Sequence, residues 1–162
     1  MRNNNYSILS TGDIIEIIKA FNLYDVFGGC YAKDQLNKIT PMKNKLFVLN
    51  LDDSSGVGTH WTAFSTFDKN VCYYDSYGGP PPIDADNYIK RATGLKKYNI
   101  NRAQIQELNT TYCGWICCFF LWFIMNTEGT INSKIKHFNY MFNSDDLKQN
   151  KNKLLNYISR IF

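Results

Sequence analysis

Apolar and polar positions along this chain follow two periods, and short runs of Gly, Pro, Asn and Asp separate them. "STGDIIEIIKAFNLY" (10–24) places Ile14, Ile15, Ile18 and Phe21 at helical spacing behind Ser10 or Thr11 as cap, with Asp13 in the first turn. It predicts an opening helix. "FGGCYAKDQ" (27–35) reads as a loop around two glycines, and "KLFVLNL" (45–51) as a buried strand followed by a mobile loop, "DDSSGVGT". "HWTAFSTF" (60–67) and "VCYYD" (71–75) flank "DKN", whose Asp and Asn suit a turn, so the pattern predicts a β-hairpin.

"SYGGPPP" cannot continue a strand and is expected to run over the surface. "IDADNYIKRAT" predicts a short helix and "KKYNINRAQIQEL" a further strand region. From Cys113 to about Asn126 the chain is apolar on every side, which predicts a buried helix. Two more helices are expected, near 132–142 and from Ser144 onward, the last with Leu147, Leu154, Leu155 and Ile158 inward. The order helix, small sheet, buried helix, helices defines an α+β fold.

Composition narrows this further. The 162 residues suit a single domain (1–162), and 44% hydrophobic with 15% aromatic content supports a full core. "MRNNNYSILSTGD" lacks the apolar stretch of a secretory signal, and "CGWICCFFLWFIM" falls short of the roughly 18 residues of a membrane span. Five cysteines without regular spacing point to free thiols in a reducing, intracellular compartment. A net charge of +4 permits association with nucleic acid without requiring it.

The chemistry concentrates in "NTTYCGWICCFF" (109–120), with cysteines at 113, 117 and 118. A structural zinc site wants four ligands in paired motifs, and Cys30, Cys72, His60 and His137 are all isolated, so no metal is expected. Cys117 and Cys118, among Trp115, Phe119, Phe120 and Trp122, read as small core hydrophobes. Cys113 follows a polar turn, so it falls at the start of the helix, where backbone N–H groups and the helix dipole favour a thiolate. Gly114 would leave the approach to its sulfur open. A cysteine at a helix start can equally be packed, so the position alone leaves nucleophile and filler open.

A nucleophile needs a base and an orienting group. His137, in the Lys-rich "NSKIKHFNYMF", reads as a surface residue, whereas His60 opens a strand after a glycine-containing loop. If Thr62 pairs with Asp75, His60 and Asp75 become diagonal neighbours, about 7–8 Å apart at Cβ. A slip of one residue would put them on opposite faces. Asp68 is accounted for as a turn residue, and Asp52 and Asp53 as solvated. An oxyanion donor is also required. Gln106 lies seven residues before Cys113, but physics alone does not select it over Gln104 or Asn109.

Taken together, "GTHWTAFSTF", "VCYYDSYG" and Gln106 followed by "CGWICCFF" resemble the adenovirus-type (adenain-like) maturation proteases of the SUMO-protease-like cysteine peptidases. The resemblance spans about residues 8–128. It implies a papain-like α+β fold: a small mixed sheet, a buried central helix starting at the nucleophile, and flanking helices. It assigns catalytic roles to His60, Asp75, Gln106 and Cys113, and Asn50, ten residues before His60, matches an asparagine at that spacing. Glycine-containing cleavage sites are implied, with Trp61, Gly114 and Trp115 as substrate-binding residues around a narrow groove.

The substrates implied are viral capsid and minor virion precursor proteins, cut in the virion or the viral factory by a monomeric thiol protease without membrane association. No cofactor is required by sequence, though DNA or a peptide is a family precedent as activator. Two departures stand out. The hairpin after His60 is shorter than in adenain, and "ATGLKKYNINRAQ" lacks a cysteine to link an activating peptide. The compact chain suits the virophage or Maverick/Polinton branch. Two other readings are an isopeptidase acting on a ubiquitin-like modifier, for which no docking insertion is seen, and a non-catalytic DNA-binding or scaffold module. The last would use Lys90, Arg91, Lys96 and Lys97 with Lys148, Lys151 and Lys153.

Overall fold

The computed structural model describes residues 8–162. The N-terminal stretch, read above as lacking a signal sequence, lies mostly outside them. Helix α1 (Thr11–Ala20) starts as the sequence predicts: Ser10 Oγ accepts from Asp13 N, and Asp13 returns the bond by accepting from Ser10 N. Its inward stripe is Ile14, Ile17 and Ile18, whereas Ile15 is only half-buried.

The sheet is mixed, with five strands in chain order: β1 (Phe27–Ala32), β2 (Leu46–Asn50), β3 (Trp61–Ser65), β4 (Cys72–Tyr74) and β5 (Asn99–Ile100). β1 runs parallel to β2, β5 parallel to β4, and the central pairs are antiparallel. Two expectations are corrected here. The glycine-rich segment is an edge strand rather than a loop, because parallel pairing to β2 fixes it. The expected strand region 96–108 contributes only β5, and the remainder is irregular chain.

β2 is buried along its whole length, which explains its unbroken apolar run. Leu46 and Val48 face one core, with α1, α3 (Cys113–Asn126), α4 (Ile131–Tyr140) and α5 (Asn150–Ile158). Phe47 and Leu49 face the other, with α2 (Ile83–Thr93). The lysines of α2 and α5 therefore belong to elements packed on opposite faces of the sheet. The last helix begins at Asn150 rather than Ser144, after a 3-10 turn at Leu147–Gln149; the inner face of α5 is Asn150, Leu154 and Ile158, while Leu155 and, in the turn, Leu147 are half-buried.

α3 is the centre of the larger core, with ten of its 14 residues buried. Phe120 stacks on Tyr74 with ring centroids 4.0 Å apart. The far end of α3 is held by the buried Lys134, whose Nζ donates to Ile124 O (2.8 Å) and to Asn70 Oδ1 (3.1 Å) in the β3–β4 turn. A cation there also opposes the helix dipole. Lys134→Met is expected to lower stability by about 1–3 kcal/mol, because two acceptors lose a charged donor. Urea unfolding checks it, and an unchanged midpoint would refute it. Among the described residues no helix is long and apolar enough to cross a membrane.

Candidate active site

The β3–β4 hairpin has the register on which the sequence argument depended. Ala63 faces Tyr74, so continuing the ladder sets Thr62 opposite Asp75 and makes His60 and Asp75 diagonal neighbours. His60 Nε2 lies 2.7 Å from Asp75 Oδ1. A carboxylate only accepts, so Nε2 carries the proton and Nδ1 is left for another partner. Nδ1 is buried and makes no hydrogen bond of good geometry. The Cys113 sulfur nevertheless lies close enough that, as a thiolate accepting from Nδ1–H, it favours the charged ring by hydrogen bonding and by charge. The sulfur–imidazole contact is thus looser than the imidazole–carboxylate one, as unliganded catalytic pairs often are.

His60, Asp75, Gln106 and Cys113 are 8, 4, 0 and 6% exposed, so the group is shielded from bulk water. Burial acts most strongly on His60 and pulls its pKa down. The Asp75 hydrogen bond, the Cys113 sulfur as an anionic acceptor and the charges on both outweigh it and raise the imidazole to about 9. Cys113 is the first residue of α3, and no side chain caps that helix at Tyr112.

Gly114 also answers a packing need that its sequence position does not suggest. A Cβ there would meet Leu9 Cδ1 at 3.0 Å and Trp61 Cδ1 at 3.2 Å, so its missing side chain makes room for packing over the start of α3. Trp61 is pinned by Nε1 donating to Leu9 O, 3.0 Å.

His60 and Cys113 share one cleft of about 560 Å³. Its walls are the segment 8–11, the end of β1, the 53–59 loop and Thr110–Thr111. Trp61 lines it. Gly114 and Trp115 do not; Trp115 is half-buried against the core. Ile8 and Val57, both exposed, stand at the cleft. The 52–59 loop, expected to be mobile, is stitched down; of its two carboxylates expected to be solvated, Asp53 is exposed and Asp52 half-buried. Asp34 accepts from Ser54 N and Oγ (2.8 and 2.6 Å), and Asp52 Oδ2 accepts from Gly58 N (3.0 Å). Asn50 closes the loop's base, its Oδ1 accepting from Asp52 N and Thr59 N. Gly58, at φ +87°, adopts the left-handed backbone beside that amide.

Several residues around the site escaped the sequence reading. The Tyr77 ring stacks on His60 at 4.2 Å, and its N–H donates to Asp75 Oδ1 at 2.8 Å. With Gly78 N donating to Asp75 O, this is a side-chain-braced turn that "DSYGG" already encodes. The backbone of Asp75 is tied further: Asn101 Nδ2 donates to Asp75 O (2.7 Å), Asn139 Nδ2 to Asn101 Oδ1 (2.9 Å), and Tyr74 Oη to Asn139 Oδ1 (2.7 Å). Gln106 Oε1 accepts from Ser76 Oγ at 2.5 Å, while its Nε2 donates to Thr110 O and Oγ1.

The remaining thiols are free, and burial raises each of them, Cys30 and Cys72 to about 12 and Cys117 and Cys118 well upward. His137 is exposed, with its ring edge-on to Phe123. Among the described residues no group of three or more His, Cys, Asp or Glu is placed to hold a metal.

The α+β architecture, a mixed five-stranded sheet with a buried helix opening at the cleft, is that of a protease fold. The crystal structure of ASFV pS273R protease matches it with a TM-score of 0.62 at 16% identity, over 95% of this chain and 68% of that chain. Its Se-Met form matches at 0.61 and 16% identity, over 95% and 69%. No protein-family model and no curated protein sequence matches the chain.

Proposed function

We propose that this protein is an adenain-like thiol endopeptidase that processes viral capsid and minor virion precursor proteins at glycine-containing sites, of the virophage or Maverick/Polinton branch. The observation that carries the reading is the His60 ring, bonded to Asp75 through one nitrogen and left to the Cys113 sulfur through the other, at the floor of an open cleft. In this reading Cys113 Sγ, its proton already held on His60, attacks a peptide carbonyl as the thiolate, the C–S bond forms and the carbonyl π pair moves onto oxygen. The oxyanion takes the Cys113 N–H and competes with Thr110 for one Gln106 N–H. His60 then protonates the departing amine, and water, deprotonated by His60, hydrolyses the thioester. Asp75 holds the ring in the required tautomer.

The protein acts as a monomer inside the host cell or the virion, needs no metal or cofactor for the chemistry, and takes DNA or a peptide as activator if any. Iodoacetamide labelling with peptide mapping tests the thiol assignment. At about pH 6, where ordinary thiols with pKa near 8.5 are almost wholly protonated, Cys113 is expected to label first. His60→Ala is expected to remove that preference. Uniform slow labelling of all five thiols would count against the assignment.

A further inference from the structure

Resting on that reading, we propose that Ser76 is a positioning residue that orients the Gln106 amide for the oxyanion. An amide side chain has two ends that differ only in what they bind, so something must decide which end faces the reaction. Here both ends are specified. Ser76 Oγ donates to Oε1 at 2.5 Å, and Nε2 donates to Thr110 O at 3.2 Å and Thr110 Oγ1 at 2.9 Å. The Thr110 carbonyl can only accept, so it demands the amino end, and the serine hydroxyl supplies the matching donor at the other.

Thr110, the partner of the amino end, lines the cleft with Cys113, while Gln106 itself is buried behind it. Ser76 holds Gln106 by its backbone too: its carbonyl accepts from Ile105 N at 2.9 Å and from Gln106 N at 3.2 Å. Both residues are fully buried, so no water competes for these bonds. Ser76 directly follows Asp75 in the chain. One short turn thus carries the acid that orients His60 and the hydroxyl that orients Gln106, and the two halves of the site are set by neighbouring residues.

The test is a double-mutant cycle read on a fluorogenic peptide amide ending in Gly-Gly. Ser76→Ala keeps both backbone bonds. It is expected to lower kcat about 10-fold, the scale of one neutral hydrogen bond, with little change in KM. Ser76→Thr, which retains the hydroxyl, is expected to recover most of the loss. In a Gln106→Ala background Ser76→Ala is expected to cost nothing more, because its target is gone. The same factor in both backgrounds, or no effect in the wild type, overturns the proposal. Full activity of Gln106→Ala would overturn it together with the oxyanion role of Gln106. The thiol assignment would survive that result, since Cys113 labelling reads it separately. Should Ser76→Ala fail to fold, Ser76→Cys, close in shape with a weak donor, carries the same comparison.

Discussion

Cys113→Ala is expected to abolish peptide cleavage, a fall of about 10⁴-fold or more, with the fold retained. The expectation is strong because no other thiol can substitute. Cys30 lines the same cleft, but burial pushes its pKa up to about 12 against the weaker opposing effect of Thr11, so it stays protonated at neutral pH. Cys72, Cys117 and Cys118 are fully buried in core packing and out of reach of substrate. His60→Ala is expected to cost nearly as much as Cys113→Ala, and the double variant no more than either, because sulfur and imidazole act as one unit. Initial rates on the Gly-Gly peptide measure this. Activity of Cys113→Ala within tenfold of wild type would sink the nucleophile assignment. An additive loss in the double variant would show that the two side chains do not cooperate.

How far the sequence could be read depended on whether a feature was local. α3 is bounded from Cys113 to Asn126 as its apolar run predicts, and the hairpin takes the one of two registers, open from sequence, that puts His60 and Asp75 on one face. β1 was illegible because a Gly-Gly pair has no strand propensity; the strand exists through pairing with β2, where a Cβ on Gly28 would strike the Phe47 ring. The phase of α1 is as the sequence predicts, with Ile14, Ile18 and Phe21 buried; only Ile15 gives up its place in the stripe, to Ile17. Among site residues, His60, Asp75 and Cys113 stand out by type and position, whereas Gln106 is selected over Gln104 and Asn109 only by the family resemblance. Ser76, Asn101 and Thr110 do not stand out. Each is an ordinary polar residue whose meaning comes from its partner, 30 residues away for Ser76, 26 for Asn101 and four for Thr110, and no periodicity signals such a pair. Gly114 carries a second reason that the sequence does not show: a Cβ there would press on Leu9 and Trp61.

Asp75 offers the sharpest separation of charge from geometry. Its Oδ1 accepts from both His60 Nε2 and Tyr77 N, and an asparagine carbonyl oxygen can accept the same two bonds. Asp75→Asn is therefore expected to keep the ring oriented and lose only about 10-fold in kcat, whereas Asp75→Ala, which frees the ring, loses about 10²–10³-fold. The pH profile carries the second half of the prediction. With His60 raised to about 9 by Asp75 and Cys113 against its burial, the charged ring persists through neutrality and is lost as pH rises through about 9. Removing the carboxylate's charge leaves burial less opposed, so the alkaline limb of kcat/KM moves to lower pH in Asp75→Asn. Stability follows the same sign. A pKa raised on folding contributes stability that is complete below about 6.5, the unfolded value, and fades as pH approaches 9, a span worth about 3 kcal/mol. Urea midpoints of the wild type are thus expected to fall between mildly acidic and alkaline pH by more than those of Asp75→Asn. An alkaline limb that stays in place in Asp75→Asn would mean that the carboxylate only holds the ring and does not set its charge.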